Sequence, residues 1–93
     1  MTGPAQPYVM ILLGSASTGP TKYDGQYLES MDFEAHDGQG DLKLTPLLSR
    51  ARRFADMKEA WEYWNRVPDS RKVRPDGEPN RPLTAMHWEF KAL

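Results

Sequence analysis

The chain has 93 residues and a net charge of −1, because 12 Lys and Arg stand against 13 Asp and Glu. We assign residues 1–93 to a single domain with one modest core, since single domains commonly contain roughly 100–150 residues. The balanced charge excludes a globally basic nucleic-acid binder and a polyacidic tail. A hydrophobic content of 39% with 11% aromatic residues is typical of a folded globular protein.

The absence of cysteine excludes disulfides, thiol catalysis and thiolate metal sites. The longest apolar run covers residues 8–13, far fewer than the roughly 20 residues that span a bilayer. Residues 1–7 contain two Pro and one Gly but no Lys or Arg. This composition predicts a loose lead-in and does not resemble a signal peptide. We therefore expect a cytoplasmic protein with no membrane contact.

The first strand is predicted at residues 8–13, which are apolar on both alternating faces, as in a central strand covered on both sides. Residues 14–25 are rich in Gly, Ser, Thr and Pro and predict a long loop. A second strand is predicted at residues 26–36. Leu28 and Glu29 break its alternation, which indicates a bulge or an irregular start.

A hairpin is predicted to join the second strand to a third. Residues 37–40 contain two glycines that can adopt positive φ, as tight connections require. Residues 41–45 then alternate, with Leu42 and Leu44 directed inward, and Pro46 ends the strand because proline cannot donate to the ladder.

A short basic connector, residues 49–54, precedes the clearest helix. Asp56 is the expected N-cap, and Glu59 three residues later completes a pattern similar to a capping box. Pro68 is expected to stop the helix. One apolar face, assigned to the core, consists of Met57, Ala60, Trp61 and Trp64.

A long loop is predicted at residues 67–82 and a last strand at residues 83–93. Met86, Trp88 and Phe90 alternate with polar residues in this strand, which predicts one buried and one solvated face. The element order β-β-β-α-β indicates an α+β fold, a small and mostly antiparallel sheet with one helix packed on one face. The first and last strands are expected to be neighbours in the middle of the sheet.

The residues that could perform catalysis form no recognisable constellation. His36 and His87 could act as general bases, because imidazole titrates near neutral pH. No serine elbow, HExxH sequence or paired carboxylates accompany them. Both histidines fall on the polar face of a predicted strand, so we interpret them as solvated side chains. We predict that the protein is not an enzyme.

Two loops are candidate ligand sites. His36, Asp37 and Asp41 could meet around a cation, but the stretch lacks EF-hand spacing and fits a hairpin turn better. The segment 14–19 follows a strand as a phosphate-binding loop does, but Pro20 follows it instead of a helix. We predict a flexible loop there, and no metal ion or cofactor for the protein.

Positive charge concentrates in the second half of the chain. Residues 1–47 have a net charge of −4, from two Lys against six acidic groups, whereas residues 48–93 have +3, from ten basic groups against seven acidic ones. If the basic residues meet in space, they could contact phosphates or an acidic protein surface, and Arg suits bidentate contacts. The candidate interaction surface comprises Arg50, Arg52, Arg53, Tyr63, Arg66, Arg71, Lys72, Arg74 and Arg81.

Aromatic residues could also anchor an interface. The spacing of Trp61, Trp64 and Trp88 assigns them to buried faces, so we expect core positions. Tyr63 is expected on the outer face of the helix, which makes it a candidate contact residue together with Tyr23 and Tyr27.

Three segments resemble small uncharacterised bacterial and phage or prophage proteins: the YDGQ stretch within residues 23–28, the ARRF segment and following helix within residues 51–64, and RPLTA at residues 81–85. The resemblance implies that Phe54, Ala60 and Trp64 are structural. It implies no catalytic residue.

We therefore expect a small non-enzymatic protein-interaction module, one version of which is a phage-derived inhibitor of a host process. The alternative is a nucleic-acid-binding accessory protein that uses the Arg-rich connector and loop. The chain could be a monomer or a homodimer, because small sheets often extend by edge pairing.

Overall fold

A computed structural model describes residues 7–93. One antiparallel sheet has the strand order β3-β2-β1-β4. Its strands are β1 (Tyr8–Ser15), β2 (Tyr27–Asp32), β3 (Asp41–Thr45) and β4 (Met86–Ala92). A one-turn segment, α1 (Ala35–Gly38), and the main helix, α2 (Met57–Trp64), accompany two 3-10 turns, Leu48–Arg50 and Pro82–Ala85. The predicted α+β class is confirmed, whereas the predicted lead-in lies outside the described residues except for Pro7.

Strand β1 forms the centre of the fold. It pairs with β4 from Tyr8 opposite Ala92 to Ser15 opposite Met86. Val9 and Met10 are both fully buried, and since consecutive residues face opposite sides of a strand, both faces of β1 are covered there. The predicted pairing of first and last strands is therefore confirmed. The expectation that both lie in the middle is wrong for β4, because β2 takes the other side of β1 and leaves β4 at the edge.

The basic connector separates β1 from β2. The two strands share only the pairing of Ile11 with Tyr27 in their ladder. Towards the start of β1, beyond this pairing, the connector bonds to each strand. Tyr8 and Phe54 exchange two backbone hydrogen bonds of 2.9 Å, and the Arg52 N–H donates to the Leu28 carbonyl at 2.8 Å. The connector thus supplies the missing backbone partners of both strands. Its Phe54 side chain is fully buried.

The predicted hairpin of β2 and β3 is confirmed, and a register shift between Leu28 and Ser30 confirms the predicted bulge. The predicted extension of the second strand to residue 36 is wrong. Strand β2 ends at Asp32, and His36 and Asp37 have φ values of 52° and 56°. These left-handed conformations cannot continue an extended ladder, so His36 lies in the turn.

The capping prediction for α2 is confirmed. The Asp56 carboxylate accepts the Glu59 N–H at 2.9 Å, and the Glu59 carboxylate accepts the Ala55 N–H at 2.9 Å. The helix ends at Trp64 and Asn65 forms its C-cap, three residues before the proline that was expected to stop it.

The buried face of α2 differs from the predicted one. Ala60 is fully buried, and Tyr63 and Trp64 pack against the core. Met57 and Trp61 are 39% and 51% exposed, so their assignment to the core is wrong. The outward position predicted for Tyr63 is also wrong. The helix is rotated because Phe33 and Phe54 each lie 5.1 Å, centroid to centroid, from the Tyr63 ring and draw it inward.

The last strand begins at Met86, because residues 82–85 form a 3-10 turn rather than the start of the strand. The Trp88 indole N–H donates to the Leu83 carbonyl at 2.9 Å and ties this turn to β4. The predicted alternation of β4 is confirmed, with half-buried Met86, Trp88 and Phe90 between exposed neighbours. The buried core cluster comprises Met10, Leu28, Phe33, Phe54, Ala60 and Leu83.

Candidate interaction site

Two arginines from separate basic clusters converge on one group of aromatic rings. The Arg52 guanidinium lies 4.6 Å from the centroid of the Tyr63 ring, and the Arg66 guanidinium lies 5.0 Å from that of Phe33. The Phe33 and Tyr63 rings pack edge to face. We call these four residues the basic-aromatic site. Cation–π attraction holds each guanidinium over a ring. Both arginine side chains remain exposed to solvent.

The Tyr63 hydroxyl remains protonated at neutral pH. Burial raises the pKa of Tyr63 above its ordinary value of 10.0, while Arg52, the nearby Met31 backbone and Arg66 act in the opposite direction. A neutral phenol can both donate and accept a hydrogen bond. The basic-aromatic site therefore offers two cations and a neutral phenol.

A carboxylate positions the chain that follows Arg66. The Glu34 carboxylate accepts the backbone N–H groups of Asp69 at 2.9 Å and Ser70 at 2.7 Å. These bonds, with a smaller contribution from Arg66, hold the pKa of Glu34 below its ordinary value of 4.5. The Asn80 amide adds a second tie to the same region by donating to the Gly38 carbonyl at 2.7 Å. The loop after α2 is thus fastened to the turn after β2.

The low pKa of Glu34 predicts a pH dependence of stability. A carboxyl whose pKa is lower in the folded than in the unfolded state contributes stability above its unfolded pKa and loses it as pH falls through the folded value. We expect Glu34→Gln to lower the unfolding temperature at neutral pH and to flatten its decline below about pH 5. Thermal unfolding across this pH range, followed by circular dichroism, measures both effects.

Glu62→Gln is the matched control for this prediction. The Glu62 side chain is 64% exposed and has only a 3.9 Å ion pair with Lys58. Its replacement is expected to leave the decline unchanged. Identical profiles for Glu34→Gln and the unaltered protein would contradict the role given to Glu34.

Two other members of the predicted surface, Arg50 and Arg74, have local acidic partners. Arg50 lies 3.5 Å from a Glu29 oxygen, and Lys43 lies 3.1 Å from the other oxygen of the same carboxylate. Arg74 binds Asp76 through two hydrogen bonds of 3.3 and 3.0 Å. The remaining basic members are exposed along the connector and the loop after α2: Arg53, Arg71, Lys72 and Arg81.

A second surface, which the sequence reasoning missed, lies on the other flank of α2. The Trp61 ring centroid is 4.9 Å from that of Trp64 and 6.5 Å from that of Phe90 on β4. Met57 lies one helical turn before Trp61 and is also exposed. We call Met57, Trp61, Trp64 and Phe90 the aromatic patch. The helical spacing of Met57, Trp61 and Trp64 predicts a core face, and the same spacing is the signal that marks this patch.

The residues considered for catalysis and ligand binding lie apart. His36 is exposed in α1 and His87 is exposed on β4. Between Pro7 and Leu93, no three His, Cys, Asp or Glu side chains are grouped so that they could hold a metal ion. Ser15 and Gly19 exchange backbone hydrogen bonds of 2.7 and 2.9 Å, so the segment considered as a phosphate cradle closes on itself.

One open cleft has a volume of about 320 Å³ and is lined by Tyr23, Gln26, Leu42, Lys43 and Leu44. The ammonium group in this lining belongs to Lys43, which pairs with Glu29. The cleft therefore supplies no paired acid and base. In the part of the chain that the structure describes, no helix is long and apolar enough to cross a membrane.

Helix α2 separates the two surfaces. Tyr63 faces the turn after β2 and the connector, whereas Trp61 and Trp64 face β4. One side of the helix is therefore cationic and aromatic, and the other is apolar and aromatic. No protein-family model matches the chain, and no curated protein or solved structure matches it significantly.

Proposed function

We propose that this protein is a small non-enzymatic interaction module of the cytoplasm, which binds an acidic surface of a protein partner through the basic-aromatic site. The observation that carries the proposal is the convergence of Arg52 and Arg66 over the rings of Tyr63 and Phe33. Arginine binds carboxylates through two parallel hydrogen bonds. Arginine and tyrosine are also the residues over-represented at the energetic centres of protein interfaces.

The charge distribution favours a protein partner over a nucleic acid. A nucleic acid presents a continuous row of phosphates, and binding strength grows with the number of free cations that follow that row. Here Arg50 and Arg74 have carboxylate partners, and the Glu34 charge lies near Arg66. Two converging guanidiniums match a few carboxylates on a protein better than a long phosphate backbone.

The alternative is a nucleic-acid-binding accessory protein that uses the connector and the loop after α2. The exposure of Arg53, Arg71 and Lys72 supports it. The inhibitor version of the main proposal is supported by the resemblance of three segments to phage and prophage proteins.

Pull-down of the tagged protein from its native lysate, with and without nuclease, tests both proposals. We expect a stoichiometric protein partner that survives nuclease. Arg52→Ala combined with Arg66→Ala is expected to reduce its recovery about tenfold or more, since central interface residues contribute about 2 kcal/mol or more. Circular dichroism of the double variant verifies that it is folded.

Arg53→Ala combined with Arg81→Ala removes the same charge and is the matched control. Its partner recovery should equal that of the unaltered protein. Equal losses in the two double variants, together with recovery that disappears on nuclease treatment, would replace the main proposal with the nucleic-acid alternative. Binding that falls steeply with salt concentration would point the same way.

A further inference from the structure

The outer edge of β4 is an open pairing edge. Strand β4 ends the sheet, and no other described segment pairs with its outer side. The Leu93 N–H donates to the Pro7 carbonyl on the β1 side at 2.9 Å. Since backbone groups alternate in direction along a strand, this bond shows which residues of β4 direct their N–H and C=O groups towards β1. The backbone N–H and C=O groups of Trp88, Phe90 and Ala92 therefore point away from β1, towards the free edge.

We propose that two copies of this chain pair antiparallel through β4, with Phe90 at the two-fold axis. The sequence Glu89-Phe90-Lys91 is its own complement in this arrangement. Each Glu89 lies opposite the Lys91 of the second copy, and the pair occurs twice because the interface is symmetric. Opposite charges directly across an antiparallel pair are stabilising, whereas like charges are destabilising.

The other symmetric registers match charge less well. Centring the pairing on Glu89 places that carboxylate opposite itself and places His87 opposite Lys91. Centring it on Trp88 pairs His87 with Glu89 but leaves Lys91 opposite Ala85, which belongs to the 3-10 turn. Only the register centred on Phe90 gives two full ion pairs.

The backbone is compatible with the register centred on Phe90. Trp88 then faces Ala92 of the second copy, and Phe90 faces itself. These are the residues whose backbone groups point outward, so each facing pair can exchange two hydrogen bonds. Glu89 and Lys91 fall at the positions between them, where side chains across an antiparallel pair approach most closely.

The aromatic patch adds apolar area to this interface. Trp61 and Met57 are exposed and lie on the same side of the sheet as the Phe90 side chain. A two-fold axis at Phe90 brings the two patches together above the paired strands. The opposite edge strand, β3, is shorter and is followed by Pro46, which cannot donate to a ladder.

Sedimentation velocity of the purified chain from micromolar to millimolar concentration tests the proposal. We expect a dimer, with twice the 10.6 kDa mass of one chain. Glu89→Lys and Lys91→Glu alone each create like-charge pairs at both positions, and each is expected to weaken dimerisation about tenfold or more. Both side chains are exposed, so the variants should remain folded.

Two experiments that restore opposite charges at the facing positions provide matched controls. The double variant Glu89→Lys/Lys91→Glu exchanges the charges and should dimerise as the unaltered protein does. An equimolar mixture of the two single variants should form a heterodimer, because one then carries two lysines and the other two glutamates at the facing positions. The combined Arg52→Ala and Arg66→Ala variant should dimerise normally, which separates this inference from the proposed partner site.

Three results would overturn the inference. The first is a chain that stays monomeric at millimolar concentration. The second is a Glu89→Lys variant that dimerises as tightly as the unaltered protein, which would place the contact elsewhere. The third is a failure of both the charge exchange and the mixture to restore association, which would exclude the register centred on Phe90.

Discussion

Phe54→Ala is expected to lower the free energy of unfolding by about 3–5 kcal/mol, the range for truncation of a fully buried phenylalanine. This loss is a large part of the total, since single domains are stable by only about 5–15 kcal/mol. The Phe54 side chain is fully buried and its ring lies 5.1 Å from that of Tyr63. Its backbone pairs with Tyr8 on β1. The cavity would therefore form where the sheet, the connector and α2 meet.

Urea unfolding followed by circular dichroism measures this effect. Val73→Ala is the control, because Val73 is 54% exposed in the loop after α2 and its truncation should change stability by no more than about 0.5 kcal/mol. Phe54→Leu retains much of the buried volume and should fall between the two. A Phe54→Ala variant as stable as Val73→Ala would refute the central role given to this side chain.

The elements that could be predicted from the sequence are those specified by neighbouring residues. The Asp56 cap, the bulge at Glu29 and the alternation of β4 each depend on side chains within a few positions. Capping requires one oxygen near free backbone N–H groups, and alternation requires only that one face be covered. The signals for such features lie within a few residues and do not require knowledge of contacts with distant parts of the chain.

The rotation of α2 could not be predicted in the same way. Its eight residues present two plausible apolar arcs, one through Trp61 and one through Tyr63. The choice depends on Phe33 and Phe54, which come from the turn after β2 and from the connector. These contacts join residues distant in sequence, so the helical spacing alone does not contain them. The same is true of the connector's position between β1 and β2.

The sequence predicts Arg52, Tyr63 and Arg66 as contact residues, but neither the part played by Phe33 nor the arrangement of the four side chains. Arg52 and Arg66 were both identified as exposed cations, each within its own cluster. Their convergence depends on Tyr63 turning inward and on the packing of Phe33 beside it. The rotation that exposes Trp61 is the same one that places Tyr63 beneath Arg52 and against Phe33, the ring beneath Arg66. The rotation of α2 therefore creates both the basic-aromatic site and the aromatic patch.

Gly38→Ala is expected to destabilise the protein by about 2–5 kcal/mol. Gly38 has a φ of 85°, a left-handed conformation that costs a residue with a Cβ roughly 1–2 kcal/mol. A Cβ at this position would also lie 2.7 Å from the Arg71 Cβ and 3.1 Å from the Arg71 backbone nitrogen. Overpacking of this kind typically adds about 1–3 kcal/mol. The contact joins the turn after β2 to the loop after α2, so the substitution would push the two apart.

Gly77→Ala isolates the conformational part of this cost. Gly77 has a φ of 87°, but an added Cβ would meet nothing within 4 Å. Its substitution should therefore cost only about 1–2 kcal/mol from backbone strain. The difference between the two variants in urea unfolding measures how tightly the loop is held against the turn. Equal losses would show that the close approach at Arg71 relaxes without cost, and that the Glu34 and Asn80 hydrogen bonds alone fasten the loop.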